Sequence, residues 1–256
     1  MTIAIYMRRM STCLAVLGLA VLGLSVSASA SPTITLKIKA LPIPGFPGTG
    51  DILGAGAVFQ GEGTISGTEY GGSPPPVTEI KFYAPAGVKL HPQGFATCSS
   101  AILESHEVQT CPKKSIAGPK GFAVGVVSFG GERVKETASV QPFFAPGGNP
   151  EFFVEGRTPV VVEILATGHV VSSSLPFGLE FIGEVPLIET VPGALDASFV
   201  EGTIRVGAAY KQGRKTISYI TMPKKCPKGG FPVKAEVSFL GGTTAGASYK
   251  MPCPKR

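Results

Sequence analysis

The sequence predicts an all-β protein, an antiparallel β-sandwich with one short disulfide-closed helix. Three observations lead there. Apolar and polar residues alternate with a period of two in several segments, the signature of strands with one face buried. The 34 Gly and 23 Pro are spread along the chain, which marks many turns between short strands. Beyond residue 30 one stretch looks helical, residues 99–108, where cap-type serines precede helix formers free of Gly and Pro. Strands and helices do not alternate, so a parallel α/β sheet is disfavoured.

The chain opens with Arg8-Arg9, an apolar run at 13–24 and small residues ending in Ala28-Ser29-Ala30. That order is a secretory signal peptide, with cleavage expected after Ala30. The apolar run falls short of the roughly 20 residues that span a bilayer, so no transmembrane span is expected in the mature form. Residues 31–256 then read as a single β-sandwich domain. Gly71-Gly72-Ser73-Pro74-Pro75-Pro76 makes 68–76 a loop or stiff linker and a candidate sub-boundary.

Strands follow in order. Residues 34–39 alternate Ile34, Leu36 and Ile38 with Thr35, Lys37 and Lys39. Residues 58–65, 77–83, 123–129 and 139–144 are further strand candidates, and Gly-Gly or Pro-Gly pairs separate many of the strands. Residues 160–165, Val-Val-Val-Glu-Ile-Leu, are nearly continuous and suit a more deeply buried strand. Residues 179–185, 204–208, 215–221 and 233–239 complete the set. The segment 99–108 starts with cap-type serines and lies between Cys98 and Cys111. Phe82-Tyr83-Ala84-Pro85 and Phe143-Phe144-Ala145-Pro146 read as two similar strand exits.

Removal of the signal leaves Cys98, Cys111, Cys226 and Cys253, enough for two disulfides in an exported chain. Local pairing, Cys98–Cys111 and Cys226–Cys253, is expected because each intervening segment can turn back on itself. A crossed pairing stays open, since Cys-Pro-Lys occurs three times. Loss of Arg8 and Arg9 lowers the formal charge from +6 to +4, too mild to indicate specific nucleic-acid binding. Lys113, Lys114, Lys224, Lys225 and Lys228 cluster beside the cysteines and are candidate contacts for an anionic cell-wall or envelope polymer, provided the fold brings the two clusters to one side.

Gly94-Phe95-Ala96-Thr97-Cys98, Leu103 and Cys111-Pro112-Lys113-Lys114-Ser115-Ile116-Ala117-Gly118 resemble a motif of secreted β-rich proteins of actinobacteria. So does Pro223-Lys224-Lys225-Cys226-Pro227-Lys228, continuing through Glu236, with Cys253-Pro254 after it. The resemblance covers most of the mature chain. It implies an exported member of a family to which no activity is attached, and it carries over no catalytic or binding residue.

Catalytic patterns are scarce. The aspartates are Asp51 and Asp196, both in loop-like surroundings. Glu151 with Glu155, and Glu180 with Glu184, sit on strand faces where two carboxylates could line a glycosidase-like cleft, or where they simply face water. His91, His106 and His169 lack metal spacing. No G-x-S-x-G elbow occurs, and the Gly-rich stretches at 54–56 and 61–63 precede no helix. The chain has no Trp; Tyr70, among glycines, is a candidate exposed ring for a sugar. No cofactor is expected. The expected role is a secreted or envelope-associated, non-enzymatic binding or structural module; the competing class is a secreted hydrolase using scattered Glu carboxylates.

Overall fold

The computed structural model describes residues 31–46, 52–105 and 107–254. The signal peptide with its cleavage point, Asp51 and His106 lie outside the described residues.

Among the described residues, ten long strands and one switching strand build the body. They are β1 (Thr33–Leu41), β2 (Val58–Ser66), β3 (Val77–Pro85), β5 (Gly121–Phe129), β6 (Glu132–Phe144), β7 (Pro150–Gly156), β8 (Val162–Ser172), β9 (Phe177–Glu184), β10 (Ser198–Val206), β14 (Phe231–Phe239) and β15 (Thr244–Met251), with β8 as the switch. Short additions are β4 (Lys89–Leu90), β11 (Ala209–Gln212), β12 (Lys215–Ser218), β13 (Ile220–Thr221) and the helix α1 (Ser100–Glu104). All ladders of the main sheet are antiparallel, in the order β1-β2-β10-β5-β6-β7-β8-β9-β3-β14-β15. The all-β, antiparallel fold read from the sequence is the fold observed.

Two layers arise because β8 changes partners. Residues 162–166 pair with β7, and residues 167–172 pair with β9. A strand that passes from one sheet to the other forms a corner of a sandwich. At the far edges, β1 lies alongside β15, so the sheet nearly closes on itself.

Side-chain alternation sets which face is inside. In β14, Phe231, Val233, Ala235, Val237 and Phe239 are buried while the residues between them are half-exposed. Ile34, Leu36 and Ile38 of β1 point the same way, into the core. At one end of the sandwich the core is aromatic: Phe144 packs on Phe95 at 4.8 Å and on Tyr219 at 4.5 Å between ring centroids. The buried Tyr219 hydroxyl donates to the Gly148 carbonyl at 2.9 Å, so its polar tip is satisfied.

Several elements differ from expectation for local reasons. The helix stops at Glu104, and a separate 3-10 turn, Val108–Thr110, follows. Neither cap-type serine caps it: Ser99 makes no side-chain cap bond, and Ser100 turns its hydroxyl to Glu151. The Val160–Leu165 run does not form one short buried strand. Val161 is 64% exposed, and the strand starts at Val162 and runs on to Ser172 as the corner. The expected strand at 215–221 is two, broken at the buried Tyr219. β15 was not expected at all; its small residues carry little strand signal, and it forms on the edge of β14.

Candidate functional site

An antiparallel chain reverses direction at every strand, so alternate connections fall at the same end. Here that rule puts the three longest connections at one end. Residues 42–46, 52–57, 86–105, 107–120, 145–149, 173–176 and 207–230 gather at one end, with residues 252–254. The opposite end carries 67–76, 130–131, 157–161, 185–197 and 240–243. The two will be called the loop end and the turn end.

Both disulfides lie at the loop end, in the local pairing. Cys98–Cys111 spans 5.4 Å between Cα atoms and Cys226–Cys253 spans 5.9 Å, both within the ordinary range. Cys98 is 1% exposed and packs with Leu103, Phe143 and Phe153, which fastens α1 to the sheet.

The loop end contains a cleft of about 710 Å³. Its floor is a short ribbon. Met222 N–H donates to Ala55 carbonyl, Ala57 N–H to Ile220 carbonyl, and His91 N–H to Tyr219 carbonyl, so 219–222 runs between 55–57 and 89–91. The β11–β12 hairpin forms one wall, with Tyr210, Gln212, Thr216 and Ser218; Phe46, His91 and Gln93 stand across from it.

Tyr210 is fixed in place. Its hydroxyl donates to the Gln93 carbonyl at 3.2 Å, and its ring meets Phe95 edge-on at 5.0 Å. Gly94 makes this approach possible. It sits at φ +83°, and a β-carbon there would collide with the Tyr210 hydroxyl. Gly56 plays the same part opposite Ser218, whose hydroxyl occupies the space a β-carbon would need. Among the described residues, no carboxylate lines this cleft.

The five expected lysines are all exposed and make no ion pair or side-chain hydrogen bond among the described residues. Lys113 and Lys114 sit on a 3-10 turn, Lys113–Ser115, tied to the sheet where Ala117 N–H donates to Pro142 carbonyl. Lys224, Lys225 and Lys228 flank Cys226 on the segment stapled to the end of β15. The fold therefore places both clusters at the loop end, above opposite layers.

The candidate carboxylates are dispersed. Glu151 does not face water: it is 6% exposed, accepts the Ser100 hydroxyl at 2.9 and 3.1 Å, and burial pushes its carboxyl above the usual range. Glu155 pairs with Arg157, which also reaches Glu163 at 3.4 Å. Tyr83 donates to Glu236 at 2.6 Å with Glu180 nearby, and Lys234 bonds Glu236 at 2.7 Å. Those two bonds, the lysine's first, hold the Glu236 carboxyl below its usual range. A second depression of about 460 Å³ brings Glu104 and Glu184 together, both exposed to solvent.

Two features escaped the sequence reading. Tyr70 is no free sugar platform: its hydroxyl meets Asp196 at 3.2 Å and its ring lies 5.7 Å from the Arg133 guanidinium. Arg133 itself clasps the turn end. One terminal nitrogen donates to the Leu195 and Asp196 carbonyls at 3.1 and 2.8 Å, and the other donates to the Ser73 and Ser198 hydroxyls, both at 2.9 Å. The cleft is the second: Tyr210 and Gln93 lie 117 residues apart. A signal existed in the Gly94-Phe95 pair and the polar hairpin 211–215, but nothing local joins them. His91 and His169 are both exposed, and among the described residues no three His, Cys, Asp or Glu side chains are grouped to hold a metal. No described helix is long and apolar enough to cross a membrane. Two disulfides are compatible with an extracellular location. No family model, curated protein or solved structure matches the chain.

Proposed function

We propose that the protein is an exported, non-enzymatic binding or structural module of the cell envelope, working from the loop end of its sandwich on an anionic envelope polymer. The observation that carries this reading is the gathering of five exposed lysines, both staples and the 710 Å³ cleft at one end of the sandwich. Staples hold the lysine-bearing segments in place, so less ordering accompanies binding. The hydrolase alternative draws on Glu104 and Glu184, which line the smaller depression, separate from the 710 Å³ cleft.

The test is co-sedimentation of the purified chain with native cell envelope and with isolated wall glycan, while soluble products are assayed. Binding should be clear at low salt and fade as the Debye length shrinks to about 8 Å at physiological ionic strength. Changing Lys113, Lys114, Lys224, Lys225 and Lys228 together to Gln should remove most of it. Binding indifferent to salt and to those changes defeats the reading. So does turnover of the polymer that a Glu104→Gln or Glu184→Gln change abolishes.

A further inference from the structure

The cleft at the loop end has a composition that the lysine clusters alone do not explain. Six polar side chains line it: His91, Gln93, Gln212, Thr216, Ser218 and Thr221. None of these side chains makes a hydrogen bond to another described residue. The backbone beside them is paired by the ribbon bonds at 55–57, 89–91 and 219–222. The groups left over are amides, hydroxyls and an imidazole. Each amide and hydroxyl offers both a donor and an acceptor, the pattern that matches a ligand rich in hydroxyl groups. Tyr210, clamped between Phe95 and the Gln93 carbonyl, adds a fixed ring wall on which an apolar C–H face can lie. Its volume falls within the ordinary range of small-ligand sites, roughly 300–1,000 Å³.

Three lysines stand beside the cleft. Lys224 lies against Gly54, which lines the cleft. Lys211 has its ammonium 6.0 Å from the centre of the Phe46 ring. Lys89 is paired across from Thr221, and directly opposed residues on neighbouring strands share a face. Thr221 is on the cleft floor, so Lys89 joins the same face. A neutral, hydroxyl-matching interior with three ammonium groups around its mouth selects for a polyol that also bears negative charge.

We propose that this cleft is a binding site for an anionic polyol segment, a sugar or sugar-alcohol unit carrying phosphate or carboxylate. The hydroxyl-bearing unit lies against Tyr210 between Gln93 and Gln212, and the anionic group reaches Lys224, Lys211 or Lys89. This rests on the reading of the loop end as a polymer-binding surface and assigns it a defined subsite; in that arrangement the exposed lysines elsewhere attract the polymer and the cleft grips one unit.

The test uses calorimetry and amide chemical shifts on the full mature chain with three probes. They are a glycerol-phosphate oligomer, tetragalacturonate and the uncharged maltotetraose. Measurements at about 20 mM salt keep the charges unscreened over more than 20 Å. One or both anionic oligomers should bind and move the amides of 54–56, 91–94 and 210–221; which one binds identifies phosphate or carboxylate as the source of charge. Tyr210→Ala should weaken that binding about tenfold, as for a central aromatic anchor. Lys224→Glu should weaken it about fivefold, while Lys135→Glu, the same charge change on the exposed face of β6, should leave it unchanged. Thr216→Trp, at an exposed hairpin position, fills the cleft without touching the core and should abolish binding with the melting temperature retained. Equal binding of maltotetraose overturns the anionic assignment. Absence of binding by both anionic oligomers, or binding untouched by Tyr210→Ala and Thr216→Trp, overturns the site. If native envelope still retains the chain in those cases, the cleft proposal alone has failed; loss of envelope binding in the unaltered chain would instead sink the wider reading.

Discussion

Replacing Cys226 and Cys253 together by Ala should destabilise the protein by about 3.5 kcal/mol, and nearly all of that should come from the unfolded state. The bridge closes a separation of 27 residues, and loop-closure entropy sets the figure. Cys226 is half-buried and Cys253 exposed, so little packing is lost with the sulfurs. For a domain of this length the melting temperature should fall by about 7–14 °C. The Cys98–Cys111 bridge is an internal control with the opposite balance. Its separation of 13 residues gives about 2.9 kcal/mol from entropy. Cys98, however, is buried among Leu103, Phe143 and Phe153, and a small void there adds about 1 kcal/mol. The two double variants should therefore lose similar stability although one loop is twice the other. Urea unfolding of both, with the unreduced protein alongside, measures this. A loss below about 1 kcal/mol for the Cys226–Cys253 pair would refute the reasoning, because it would mean that the bridge does not restrain the unfolded chain by the amount that loop closure requires. The cleft provides a local readout as well. Gly54 N–H donates to the Pro223 carbonyl at 3.1 Å, three residues before Cys226, and its hydrogen exchange should quicken when the staple is gone.

Arg133→Met should cost about 3 kcal/mol, since it leaves the Asp196 carbonyl without its 2.8 Å charged donor, and should open 185–197 to limited proteolysis; an unchanged cleavage pattern would show that Tyr70 and Ser198 hold that segment unaided. Glu151→Gln tests a buried carboxyl whose affinity for its proton is raised by burial. Because its folded pKa lies above the unfolded value, its favourable contribution is complete below the unfolded pKa and is lost as pH rises through the folded pKa. The stability difference between the Gln variant and the unaltered protein should thus shift in favour of Gln from pH 3 to pH 7 in urea unfolding, and an equal difference at both pH values would contradict the burial.

The features that were legible in the sequence are those fixed over a few residues. Ile34, Leu36 and Ile38, or Val233, Val237 and Phe239, sort to one face because alternate strand side chains must, whatever the partner strand. The disulfides were legible because each cysteine finds its partner across a segment that turns by itself. Elements shaped by distant partners were not. β15, Thr-Ala-Gly-Ala-Ser-Tyr-Lys-Met, has almost no apolar alternation and becomes a strand because β14 offers it an edge. Ser100 reads as a cap, yet the buried Glu151 on β7 takes its hydroxyl. Glu151 reads as a wet residue for the same reason, since the helix that covers it comes from elsewhere in the chain.

The cleft falls between these two cases. Tyr210, Gln93 and Ser218 are unremarkable one by one, and their convergence depends on the strand order. Their end of the molecule does not. In an antiparallel sandwich the parity of a connection decides its end, and the long Gly- and Pro-rich connections 42–57, 86–120 and 207–230 all have the same parity. A strand list that counted β7 and β15 and left 215–221 out of the main sheet would have put both disulfides, both lysine clusters and every cleft residue at one end. Missing a single strand inverts the parity of everything after it. Omission of β7 alone would have moved 207–230, with Lys224, Lys225 and Lys228, to the end opposite Lys113 and Lys114. A single strand such as β7 thus governs whether the charged loops are read as one surface or two.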